Sequence, residues 1–128
     1  MEMPKHVVLV GHCSPDSSYL TLAIRSVCPD AQVQRVNDDA ALRGALEAGC
    51  ELLLINRMLD GDFAECSGVA TIAACHQFKP QIPAMLVSNF ADAQAQALAA
   101  GAMPGFGKHD LGHSKARDAL VAVLGKGL

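Results

Sequence analysis

Five side chains in this sequence have the chemistry and the spacing to act together: His12, Cys13, Asn56, Ser88 and Lys108. His12 and Cys13, adjacent in "VLVGHCSPD", are ligand types suited to zinc or copper. His109, beside Lys108, is a candidate third ligand. Cys13 by itself is a candidate redox thiol. Ser88 and Lys108 offer a hydroxyl and an ammonium, which near helix N-termini can hold phosphate or sulfate. Asn56 is the odd member. Its amide nitrogen is no nucleophile, and it brings no charge to a hard cation.

Each of these residues lies at the end of an apolar run. "HVVLVG" (6–11) is Val-rich and continuous, the pattern of a strand buried on both faces. It leads to His12 and Cys13. Ser14 is then a candidate cap and Pro15 suits a first helical turn. Leu20, Ala23, Ile24, Val27 and Cys28 recur at helical spacing. "AQVQRV" (31–36) predicts a short strand, and "NDDAALRGALEAG" a helix with Leu42, Ala45 and Leu46 on one face and Gly49 as its stop. "ELLLIN" (51–56) is a third strand and ends on Asn56. "RMLDGD" predicts a loop, with Asp-Gly marking a turn. Residues 64–77 carry Val69, Ile72, Ala73 and His76 at helical spacing, which places Cys66 and Cys75 on one helix but on opposite sides of it. "AMLVS" (84–88) is a fourth strand ending on Ser88, followed by an Ala-rich helix over 91–101. "PGFG" (104–107) predicts a short fifth strand before Lys108. "SKARDALVAVL" (114–124) closes the chain as a helix with Ser114 as its cap.

Five strands alternating with five helices imply an α/β protein, a parallel sheet with helices on both faces. In open sheets of this kind ligands and chemistry collect outside the carboxyl ends of the strands. That rule draws the five residues together from distant parts of the chain.

The bulk properties exclude several function classes. A chain of 128 residues, 51% of them hydrophobic, predicts one folded domain over 1–128. The net charge of −3 and the lack of a basic patch argue against nucleic acid as a partner. No apolar run reaches the roughly 20 residues of a membrane span. "MEMPKHVVLVGHC" has no signal-peptide cleavage site, so a cytoplasmic location is expected. The 5 cysteines are scattered without a C-x-x-C pair, which suits small buried hydrophobes in a reducing compartment. "GAMPGFGKH" departs from the P-loop pattern at Ala102 and His109. No Ser-His-Asp or paired-carboxylate arrangement stands out, and no catalytic residue, cofactor or resident metal is expected.

The strand ends and their flanking fragments resemble the receiver domain of bacterial two-component response regulators along nearly the whole chain. "VLVGHCSPD" looks like the first strand and acidic turn of that family. "ELLLINRMLDGD" looks like its phosphoacceptor strand and loop. "IPAMLVSNFADAQAQALAAGA" is similar to the fourth strand, its Ser/Thr and the following helix, and "GFGKH" to the fifth strand and its lysine. The resemblance implies a flavodoxin-like, doubly wound, five-stranded parallel sheet in the order 2-1-3-4-5, with five helices. It also implies a site in which two acidic residues hold Mg²⁺, an aspartate accepts a phosphoryl group, and a Ser/Thr and a Lys bind the phosphoryl oxygens.

This chain departs from that pattern. His12 and Cys13 stand at the acidic-pair positions and Asn56 at the phosphoacceptor position. Gly105 replaces the fifth-strand aromatic and His109 the proline after the lysine. Ser88 and Lys108 match. Asp16 aligns in the first turn of the following helix, away from the metal-binding pair, and Lys108 is expected to lose its counter-ions. Removing a carboxylate cluster relieves like-charge repulsion, which predicts a domain at least as stable as an ordinary receiver without its metal, held in one signalling state. The expected function is a pseudo-receiver in two-component-type signal transduction. It would act by binding a signalling protein without aspartyl phosphorylation, and is not an enzyme. Homodimerisation through the flat surface of Ala91, Ala93, Ala95, Ala97 and Ala99 is a further expectation. The alternative is a redox- or metal-responsive sensor using His12 and Cys13.

Overall fold

The computed structural model describes residues 4–125 of the chain. The elements alternate along the chain as β1 (His6–Val10), α1 (Ser14–Val27), β2 (Gln32–Val36), α2 (Asp39–Ala48), β3 (Leu52–Asn56), α3 (Gly68–Phe78), β4 (Ala84–Val87), α4 (Ala91–Ala99), β5 (Met103–Phe106) and α5 (Ser114–Leu124). The strands form one five-stranded sheet in the order β2-β1-β3-β4-β5, with every pairing parallel. This is the doubly wound flavodoxin-like sheet and order expected from the sequence.

Strand alternation divides the core into two layers. Val8, Val10, Leu53, Ile55 and Leu86 point to the side covered by α2, α3 and Ala97 of α4. Val7, Leu9, Leu52, Leu54, Met85 and Val87 point to the side covered by Leu20 and Ile24 of α1 and Leu120 of α5. Both faces of β1, β3 and β4 are therefore buried, which explains their continuous apolar runs. Register then aligns the strand ends. Val10 pairs with Val36 and Ile55, Asn56 with Val87, and Val87 with Phe106. The residues just beyond these pairs lie along one rim of the sheet.

Several local expectations need correction. Ser14 and Ser114 are not helix caps. The capping positions are Cys13 and His113, and neither side chain makes a capping hydrogen bond. Ser14 Oγ instead accepts from Arg35 Nη1 at 3.2 Å. Helix α3 starts at Gly68, so Cys66 lies in the preceding loop and shares no helix with Cys75. Ser67 caps it, its Oγ accepting from Ala70 N at 3.2 Å. The face it buries is Gly68, Thr71, Ile72 and Cys75, while His76 is exposed. Gly68 is demanded by a close approach, because a Cβ there would lie 1.9 Å from the Asn56 carbonyl oxygen. The alternate alanines of α4 do not share a surface, since successive residues turn by roughly 100° around a helix. Ala97 is buried and Ala93 half-buried, leaving Ala91, Ala95, Leu98 and Ala99 outside. After β5 the sequence reading missed a 3₁₀ turn, Lys108–Asp110. The Asp110 carboxylate closes it by accepting from Gly107 N at 2.7 Å.

Candidate functional site

The rim of the sheet brings Asn56, Ser88 and Lys108 to one cavity of about 270 Å³, which Arg57, Asn89 and Phe90 also line. His12 and Cys13 are not part of its lining.

Asn56 uses its amide as a donor. Nδ2 donates to the Gly11 carbonyl oxygen at 2.9 Å. The same oxygen accepts from Asp60 N at 2.9 Å. Gly11 adopts φ 71°, and a Cβ on it would lie 2.7 Å from a Leu59 side-chain carbon, so glycine is required at this crossing. An ionised aspartate at position 56 has no proton to donate and would set its charge against a carbonyl. The local geometry therefore favours the amide over the acid.

His12 is a buried residue packed against the sheet. It is 1% exposed, and its Nε2 donates to the Leu54 carbonyl oxygen at 2.9 Å. Among the described residues, Nδ1 and the buried Ser17 Oγ have no hydrogen-bond partner. Burial above all, opposed by the Leu54 hydrogen bond and assisted by the charge of Lys108, lowers the imidazole pKa from 6.5 to about 4. The ring is neutral at physiological pH. Cys13 is half-buried at the start of α1.

Lys108 keeps a counter-ion, contrary to the sequence expectation. Its Nζ lies 2.5 Å from Asp16 Oδ2. The lysine holds the Asp16 carboxyl below its ordinary pKa of 3.8, chiefly through this hydrogen bond, with the Cys13 thiol adding to the effect. Asp16 lies in the first turn of α1, beyond the turn that carries His12 and Cys13. Pro15 in the first turn of α1 and the position of α1 against α5 bring its carboxylate to the lysine from that helix.

Ser88 is nearly buried, and its Oγ accepts from Phe90 N at 3.1 Å. Asn89 Oδ1 accepts from His109 N at 3.0 Å, joining the β4 end to the 3₁₀ turn. Glycine at 107 permits this, since a Cβ there would lie 1.9 Å from Asn89 Oδ1. The Arg57 guanidinium stacks 4.8 Å from the Phe90 ring centre. Among the described residues, no three His, Cys, Asp or Glu side chains converge as metal ligands. His109 is exposed, while the His12 ring is turned to the β3 backbone.

Gln94 was also missed. Its Nε2 reaches the carbonyl oxygens of Leu86 at 2.9 Å, Ser88 at 3.0 Å and Phe106 at 3.3 Å. It lies over Gly105, where a Cβ would be 2.3 Å from the Leu86 carbonyl oxygen and 3.0 Å from Gln94 Oε1. The glycine and the glutamine fit together. The absence of an aromatic residue at 105 was the only sequence signal that this space had another occupant.

Comparison with known proteins places this geometry in a fold class. The chain is similar to a candidate response regulator from Chloroflexus aurantiacus J-10-fl, with 17% identity, a TM-score of 0.73 and coverage of 95% of each chain. It is similar to NtrX from Brucella abortus at 16% identity and a TM-score of 0.72, covering 95% of this chain but 26% of that one. The chain thus spans about a quarter of the length of NtrX. Against the NtrX receiver domain alone the identity is 20% and the TM-score 0.68, with coverage of 94% of each chain. No family model matches the sequence, and no curated protein does. The fold is that of a response regulator receiver domain. Among the described residues, no helix is long and apolar enough to cross a membrane.

Proposed function

We propose that this chain is a pseudo-receiver: a receiver-fold module of two-component-type signalling that binds another protein without being phosphorylated on aspartate. The observation that carries the reading is the Asn56 amide, which donates to the Gly11 carbonyl at the position where the family resemblance implies the phosphoacceptor. Two features support it. His12 is buried against β3 and its neutral ring offers no carboxylate to Mg²⁺. Lys108 is already engaged by Asp16, an internal carboxylate that substitutes for the missing acids. With Gln94 joining α4 to β4 and β5, these contacts favour one fixed signalling state.

The partner surface in this reading is the face of α4, β5 and α5, where Phe90, Leu98 and Met103 are exposed. Homodimerisation through α4 belongs to the same proposal, as does a cytoplasmic location. The test is incubation with acetyl phosphate and Mg²⁺, followed by intact-mass measurement. The wild-type chain is expected to gain no phosphoryl group. Asn56→Asp is expected to gain none either, because the Mg²⁺-binding acids are still missing. An acid-labile phosphoryl adduct on the wild-type chain would overturn the reading.

A further inference from the structure

A second cavity, of about 300 Å³, lies between α2 and α3, and no residue of α4, β5 or α5 lines it. Leu42 and Leu46 of α2 and Cys75 of α3, all buried, give it an apolar floor. Ala70 and Ala74, exposed and one turn apart on α3, are too small to fill it. Phe78, the last residue of α3, is 40% exposed, with the Arg43 guanidinium 4.7 Å and the Lys79 ammonium 5.4 Å from its ring centre. Asp39, the first residue of α2, and Glu65, just ahead of α3, line the groove near the helix N-termini, away from Phe78. These two belong to a larger acidic surface. Segment 60–65 runs against segment 37–39: Asp62 bridges to Asp38, Asp62 N donates to the Asn37 carbonyl oxygen at 2.8 Å, and Ala64 N donates to Asp39 Oδ2 at 2.9 Å. Asp38, Asp39, Asp60, Asp62 and Glu65 are thereby gathered and exposed, and among the described residues none of them forms an ion pair.

We propose that this groove docks an amphipathic helical segment of another protein, one that carries lysine or arginine at one end. The apolar side chains of that segment, at i, i+3, i+4 and i+7, lie over Leu42, Leu46 and Ala74. Its basic end lies against Asp39 and Glu65. The neighbouring carboxylates of Asp38, Asp60 and Asp62 draw the basic end in and fix the direction in which the helix lies. Charge complementarity is what selects this occupant: an acidic segment is repelled, and the net charge of −3 works against a second copy of this chain. None of the rim residues Asn56, Ser88 and Lys108 lines the groove, so the proposal stands apart from the pseudo-receiver reading.

The experiment is a titration of the ¹⁵N-labelled full chain with two synthetic helical peptides. Both carry leucine at i, i+3, i+4 and i+7, and one ends in lysines where the other ends in glutamates. The lysine peptide is expected to shift the amides of Leu42, Leu46, Ala74 and Phe78 saturably, and the glutamate peptide to leave them in place. Asp39→Asn combined with Glu65→Gln removes two charges but keeps the oxygens that accept from Ala64 N and Ser67 N. That variant is expected to bind the lysine peptide about fivefold more weakly, the size of two exposed charge contacts. Ala74→Arg, at an exposed helix position, fills the groove and is expected to abolish saturable binding while the amide spectrum elsewhere stays that of the wild type. Absence of saturable shifts, equal affinity for the two peptides, shifts confined to α4 and β5, or unchanged affinity in Ala74→Arg would each overturn the proposal. Movement of the same amides on raising the protein concentration alone would assign the groove to a second copy and overturn it as well.

Discussion

At the scale of single residues, two polar side chains at the strand ends serve the fold itself. Asn56 and His12 each donate to a backbone carbonyl of a neighbouring segment, Gly11 and Leu54. The histidine makes the fold sensitive to acid. Its folded pKa is lowered from 6.5 to about 4, so between those values the unfolded chain binds the proton more readily than the native chain. Its neutral form stabilises the fold fully above pH 6.5, and that contribution is lost as pH falls towards 4. The shift corresponds to about 3 kcal/mol. Urea unfolding at a series of pH values is expected to show this decline, and His12→Gln is expected to flatten it. A wild-type stability that stays constant from pH 7 to 4 would count against a buried neutral ring. Asp16 acts below that window. Its carboxyl is depressed below 3.8, so its contribution is present above that value and disappears as pH falls through the lower folded value.

At the scale of elements, α4 is joined to the sheet mainly by a polar contact. Ala97 is the one residue of this helix that is fully buried, so little apolar surface holds it. The Gln94 amide compensates by binding carbonyls at the ends of β4 and β5. Gln94→Ala removes this shared donor, although the Phe106 carbonyl keeps its bond from Ser88 N, and is expected to cost about 1–2 kcal/mol. The loss should appear as faster amide exchange in α4 and β5 before the rest of the fold. Gly105→Ala tests the same fit from the other side. Its Cβ would meet the Leu86 carbonyl, which is backbone and cannot move aside, so a loss of about 1–3 kcal/mol is expected. If either variant matches the wild-type exchange pattern, the Gln94 contact does not hold α4.

At the scale of the whole molecule, the two-layered core and the exposed apolar residues have separate roles. The sheet is sealed by helices on both sides, so Phe90, Leu98 and Met103 lie outside the core and remain available to a partner. Under the dimer proposal, sedimentation equilibrium is expected to give the mass of two chains, and Leu98→Glu the mass of one. Leu98 is 48% exposed, so the substitution leaves the core intact. A monomer at high concentration would exclude α4 pairing while leaving binding to a different protein open to test.

The sequence by itself determined the elements and the sheet. Val-rich runs such as 6–11, the spacing of Leu20, Ile24 and Val27, and the glycine after α2 are local signals, carried within one strand or a few helical turns. It also determined which residues reach the rim, because parallel strands in this order put their ends on one side. The partners of those residues were decided only by the tertiary structure. The bonds of His12 to Leu54 and Asn56 to Gly11 span 42 and 45 residues. The Asp16–Lys108 pair and the Gln94 contacts depend on how helices settle against the sheet. Such contacts leave no periodic trace in the sequence, because a side chain's identity fixes what it can donate or accept but not which distant group the packed chain brings within reach.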